Sequence, residues 1–121
     1  LDVDGVLHPA DAVESSAPTE LFLADCMDRL RRIVVSTGAA IVLSSSWRLE
    51  SEALEECRCQ LASWDLLILD TTPHSGCLSR AEEICSWLRG HPEVKRFLIL
   101  DDMDVTSNFG GGSSSFFIKV N

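Results

Sequence analysis

Apolar residues in this chain fall into short unbroken runs separated by longer stretches of helical spacing. Ala39-Ala40-Ile41-Val42-Leu43, Leu66-Leu67-Ile68-Leu69 and Phe97-Leu98-Ile99-Leu100 are apolar throughout, as strands buried on both faces of a parallel sheet are. Phe116-Phe117-Ile118-Lys119-Val120 reads as a last strand, after a linker-like Gly110 to Ser115 tract. Between the runs, Leu23, Cys26, Met27, Leu30, Ile33 and Val34 recur at helical spacing, with Thr19 as N-cap and Gly38 as the stop. A second helix is predicted over about Leu49 to Leu61, with Leu54, Cys57 and Leu61 inward and Glu50, Glu52, Glu55 and Glu56 outward. Ser79 and Glu82 form a capping box for a third helix, whose inward face is Ile84, Trp87 and Leu88 and whose stop is Gly90 before His91-Pro92. Strands alternating with helices predict an α/β fold with right-handed crossovers.

That order places every polar cluster at one edge. Asp2 and Asp4, the serines 44 to 46, Thr71 and Thr72, and Asp101, Asp102 and Asp104 all follow the carboxyl end of an apolar run. Open α/β sheets collect ligands at that edge. Asp2 and Asp4 stand one residue apart at a glycine turn, and Gly5 lets the backbone bend there. Such a pair divides labour well: one carboxylate attacks an electrophile while the other passes a proton. The competing reading of the fragment alone is a solvated acidic turn.

With 121 residues the chain makes one domain. Its abrupt start, without Met, and its end at Val120-Asn121 read as a domain excised from a longer chain. The net charge of -9 argues against a broad electrostatic footprint for nucleic acid, which needs clustered Lys and Arg. Five of the acids belong to the Asp2, Asp4, Asp101, Asp102 and Asp104 set, whose convergence would call for a bound cation. The five cysteines are an odd number, three of them on apolar helix faces, which fits free thiols in a reducing, cytoplasmic or similar intracellular compartment. Cys57-Arg58-Cys59 lacks the spacing of a zinc site, and no run is long enough to span a membrane.

The motifs DVDGVL, IVLSSSWR, Arg80 and LILDDMD, in that order over nearly the whole chain, resemble the four motifs of the haloacid dehalogenase (HAD) superfamily. In finer detail, DVDGVLHP with SSSWR, the TTP loop and R-A-E-E-I-C-S-W-L ahead of LILDD is similar to the HAD domain of Swiss Army Knife RNA-repair-type proteins. The resemblance implies a three-layer Rossmann-like sandwich with a mostly parallel five-stranded sheet. Only about a dozen residues separate Leu7 from Thr19, and the chain after Leu43 soon enters a helix, so no sizeable cap domain is expected.

The resemblance further implies that Asp2 is the nucleophile of a phosphoryl transfer through an aspartyl-phosphate, and that Asp4 is the general acid and base. Mg2+ is the implied cofactor, held by Asp2, the backbone carbonyl of Asp4, and Asp101 or Asp102, with Asp104 capping the following segment. Of the serines, Ser45 stands two before Trp47, as in relatives reading T-T-W, whereas Ser44 directly continues the strand. Ser45 is the first choice for the phosphoryl contact and Ser44 the alternative, while Ser46 is expected to cap the next helix. Arg80 occupies the place of the family's charge-neutralising Lys or Arg, where a guanidinium can fork onto two phosphoryl oxygens. Trp47 and Arg48 either close over substrate or pack, and His8 and His74 lie in loops near the same edge.

An open site suits a bulky phosphorylated substrate, such as a nucleic-acid end, a phosphoprotein or a nucleotide. A receiver-like phospho-Asp regulatory domain, or a catalytically silent interaction domain, is the alternative from another class. Receivers carry their acidic pair early and a Lys last, the reverse of the order here. Oligomeric state is not encoded in any of these patterns.

Overall fold

The computed structural model describes residues 1–11, 20–106, 109 and 117–120 of the chain. Helix α1 runs over Ala24–Thr37, β1 over Ile41–Leu43, α2 over Ser51–Ala62, β2 over Ile68–Thr71, α3 over Arg80–Gly90, β3 over Ile99–Asp101 and β4 over Phe117–Lys119. A single 3-10 turn, Ser46–Leu49, joins β1 to α2. The expected Thr19 cap and the Gly110 to Ser115 tract lie outside the described residues.

The helices follow the apolar spacing. Met27 and Leu30 of α1 and Cys57 and Leu61 of α2 are buried together with Val3, Leu7, Ile41 and Leu43 in the larger core cluster. Gly38 ends α1 in the left-handed conformation (φ 67°), its N–H bonded to the Val34 carbonyl, a stop that glycine makes without a Cβ penalty. The capping box of α3 is formed: Ser79 Oγ accepts from the Glu82 N–H at 3.3 Å, and Glu82 Oε2 accepts from the Ser79 N–H at 2.7 Å. Inside α3, Ala81, Glu83 and Ile84 are buried, so the apolar face is narrower than the expected Ile84, Trp87 and Leu88 stripe. Gly90 is the last helical residue and His91 the cap.

Strands β1 and β2 pair in parallel, as do β3 and β4. The sheet therefore differs from the expected five-stranded one: among the described residues, four strands form two parallel pairs. Leu1 and Asp2 lie between the pairs. The Leu1 amine donates to the Val42 carbonyl at 3.0 Å, the Ser44 N–H to the Leu1 carbonyl and the Asp2 N–H to the Leu100 carbonyl, each at 2.9 Å. The chain then turns at once, with the N–H groups of Val6 and Leu7 both on the Val3 carbonyl.

Strand β2 also departs from expectation. It begins at Ile68, and Leu67 and Leu69 are 78% and 69% exposed. Alternation places both on one face, and among the described residues nothing covers that face, so this run buries one face rather than two. Leu66 is buried, but in the turn that leaves α2, with its N–H on the Leu61 carbonyl. A smaller cluster of Ala81, Ile84, Ile99 and Val105 fastens α3 to β3. No helix among the described residues is long and apolar enough to cross a membrane.

Candidate active site

The site forms where Asp2, the serines after β1 and the acids after β3 reach the same edge. Asp2 is buried, with its backbone tied to Leu100 of β3. Gly5 then turns the chain at φ 74°, a left-handed conformation that favours glycine. Asp102 fills the space where a side chain would stand: a Cβ on Gly5 would lie 2.4 Å from Asp102 Oδ2 and 2.8 Å from its Cβ. This close approach of the two loops is what the glycine permits. One carboxylate oxygen from each of Asp2, Asp101 and Asp102 lies within 4.8 Å of the others.

Arg80, the first residue of α3, closes this cluster. Its Nη1 is 2.8 Å from Asp2 Oδ2 and 3.1 Å from Asp101 Oδ2. A cation at a helix N-terminus meets an unfavourable dipole, and burial also works against its charge. The two carboxylates outweigh the burial and raise the Arg80 pKa further. Asp101 is fully engaged, its Oδ1 accepting from the Met103 N–H at 2.9 Å. Among the described side chains a single guanidinium stands against the three carboxylates, which leaves an excess of negative charge there. Hard oxygen donors gathered around such an excess fit a small divalent cation.

Asp4 does not join the cluster through its carboxylate. That group turns toward Trp47, whose Nε1 donates to Oδ1 at 3.0 Å and Oδ2 at 3.1 Å, and toward His8, whose Nε2 is 2.9 Å from Oδ1. Its side chain remains 31% exposed. Ser44 and Ser45 are both buried. Among the described residues the Ser44 hydroxyl has no partner, and neither does that of Thr72, the buried residue after β2. Ser45 Oγ accepts from the Trp47 N–H at 3.3 Å. Ser45, and not Ser46, therefore caps the following turn, because a 3-10 segment beginning at Ser46 precedes the helix. Asp104 Oδ1 accepts from the Thr106 N–H and hydroxyl, the capping role expected of it.

Three polar residues are tied into the interior. Arg48, expected either to close over substrate or to pack, packs: its side chain is buried, with Nε on the Thr72 carbonyl at 2.9 Å, Nη1 on the Ser45 carbonyl at 2.6 Å and Nη2 on Glu83 Oε2 at 2.7 Å. Glu83, unremarked in the sequence, also accepts from the Ser75 N–H and lies 2.9 Å from His74 Nδ1. His8 is an interior residue that bonds Asp4. The Asp4-to-His8 spacing was the one local sign of that contact.

A parallel α/β arrangement with an aspartate-arginine cluster at the strand ends defines a HAD-type domain, in general a hydrolase fold. The family model for the HAD domain in Swiss Army Knife RNA repair proteins matches residues 1–121, and the chain belongs to that family. No curated protein and no solved structure matches the chain.

Proposed function

We propose that this domain is a Mg2+-dependent phosphomonoester hydrolase that works through an aspartyl-phosphate on Asp2. The observation that carries the reading is the contact of Arg80 with both Asp2 and Asp101 beside Asp102. It is a nucleophilic carboxylate with a neutralising guanidinium and spare oxygen ligands at one strand edge. The reading takes the parallel pairs and three helices as a three-layer Rossmann-like core without a sizeable cap.

Asp2, the Asp4 carbonyl and Asp101 or Asp102 would hold Mg2+, which when bound masks phosphoryl charge. In the first step a bond forms between an Asp2 carboxylate oxygen and phosphorus as the ester P–O bond breaks. Asp4 gives its proton to the departing oxygen, work that contributes about two to four powers of ten in rate. Water then attacks phosphorus, Asp4 takes the proton back, and the bond to Asp2 breaks to release phosphate. Arg80 neutralises phosphoryl oxygens alongside Asp2. Ser45 and Ser44 each keep an O–H proton to donate, Ser44 with no competing partner.

The substrate in this reading is bulky and phosphorylated: a nucleic-acid end in first place, in keeping with the family's RNA-repair description, with a phosphoprotein or nucleotide as alternatives. The acidic chain then takes its grip on nucleic acid from a companion domain or partner. The five free thiols support a reducing, cytoplasmic-type compartment.

The test is hydrolysis of 4-nitrophenyl phosphate with Mg2+, with chelator, and by Asp2→Asn. Turnover abolished by chelator and by the substitution supports the assignment, and an active Asp2→Asn protein removes Asp2 as nucleophile. A panel of 3'- and 5'-phosphorylated oligonucleotides, nucleotides and phosphopeptides then ranks the substrates.

A further inference from the structure

We propose that Trp47 and His8 are positioning residues that fix the Asp4 carboxylate for proton transfer, an inference that rests on the hydrolase reading. An acid at a surface turn is ordinarily satisfied by water. Asp4 is instead held by two ring N–H groups from the protein interior, the Trp47 indole on both oxygens and His8 on Oδ1.

The His8 bond has a defined sense. Its other nitrogen, Nδ1, accepts the Phe22 N–H at 3.3 Å, so the ring proton sits on Nε2 and points at Asp4. Phe22 directs that N–H from a left-handed backbone (φ 54°), a strained conformation for an aromatic residue. Strain of this kind persists where the surroundings over-determine it, often at functional sites. The surroundings here are the rings themselves. Phe22 packs edge-on against His8 (centroids 5.3 Å apart, 74°) and against Trp47 (5.4 Å, 83°), and His8 lies 5.6 Å from Trp47. Each ring fixes the tilt of the other two, and the two donors cannot swing away from Asp4.

The bonds load the two oxygens unequally. Among the described residues, Oδ1 accepts from both rings and Oδ2 from Trp47 alone. Oδ2 is therefore the oxygen that carries the proton to the leaving group and takes it from water.

Leaving-group dependence tests the proposal. A good leaving group such as 4-nitrophenolate departs with little acid assistance, whereas an alkoxide needs it. Trp47→Phe keeps the ring and removes the N–H. With KM unchanged, kcat on an alkyl phosphate is expected to fall about tenfold or more while that on 4-nitrophenyl phosphate falls less than about threefold. Equal losses on both substrates, or none, overturn the positioning role. Asp4→Asn should show the same selectivity in stronger form. Nitrogen-15 NMR of wild-type His8 gives a readout without turnover: a proton on Nε2 is expected, and one on Nδ1 overturns the proposal. Wild-type protein inactive on both phosphates strikes the hydrolase reading itself, an outcome separate from equal losses in an active enzyme.

Discussion

Replacing Arg48 by Met tests what holds the catalytic edge together. Arg48 and Glu83 are 5% and 6% exposed, and the guanidinium reaches the carbonyls of Ser44, Ser45, Thr72 and Pro73 as well as Glu83 Oε2. One side chain thus clips the loop after β1, the loop after β2 and the first turn of α3. Methionine keeps the apolar stem but strands a buried carboxylate and several buried carbonyls. Breaking a buried pair from one side costs about 3–5 kcal/mol, a fifth or more of the roughly 5–15 kcal/mol that typically holds a domain folded. At a urea dependence of about 2 kcal/mol per molar, a loss of about 4 kcal/mol moves the unfolding midpoint down by about 2 M.

The assay is urea unfolding followed by tryptophan fluorescence and circular dichroism, with a double-mutant cycle. Arg48→Lys should recover little, since an ammonium cannot fork across the same acceptors. Glu83→Gln removes the charge and keeps an acceptor, so its cost is expected at about 1–3 kcal/mol. The Arg48→Met/Glu83→Leu double variant should cost less than the sum of its parts, with a coupling of about 2 kcal/mol. A midpoint shift under about 0.5 M for Arg48→Met, or additive single costs, refutes the view that this pair staples the edge.

Two further outcomes follow from the same geometry. Gly5→Ala puts a methyl group 2.4 Å from Asp102 Oδ2 at a positive φ; it should cost about 1–2 kcal/mol in backbone strain and, by displacing Asp102, weaken Mg2+ binding in calorimetry about as much as Asp102→Asn, whereas wild-type affinity would show the close approach to be dispensable. Burial pushes the Cys57 thiol up to about 11, so at pH 8 iodoacetamide should label the exposed Cys59 and Cys77 well before Cys57, with Cys57 labelling rising toward pH 11; mass-spectrometric labelling of Cys57 at the pace of Cys59 contradicts this.

What could be read from the sequence was whatever depends on local period. The apolar runs, the Ser79–Glu82 box and the Gly38 stop each sit within one element, and each formed. The meeting of Asp2, Arg80 and Asp101 was also legible, because parallel topology sends every strand's carboxyl end to one edge. What depends on a second element was not. An apolar run does not announce whether both faces will be covered, and the faces bearing Leu67 and Leu69 were not. The Arg48–Glu83 pair joins residues 35 apart in sequence, and neither residue differs locally from a solvated charge. His8 looked incidental for the same reason: its bond to Asp4 matters only once Phe22 and Trp47 close around it.

The two arginines of the edge are linked through one helical turn. Arg80 and Glu83 stand three residues apart at the start of α3, so they share a face. Glu83 is fixed by Arg48 inside the protein, and that bond sets the rotation of the helix about its axis. Turning α3 by one residue would swing Arg80 through about 100° and away from Asp2 and Asp101. Arg80 must also be held against both its own burial and the helix dipole, which the capping box at Ser79 and Glu82 offsets by fastening the same turn. A buried pair that contributes no chemistry thus decides where the neutralising charge lies. Arg48→Met should therefore lower Asp2-dependent turnover even under conditions where the variant remains folded.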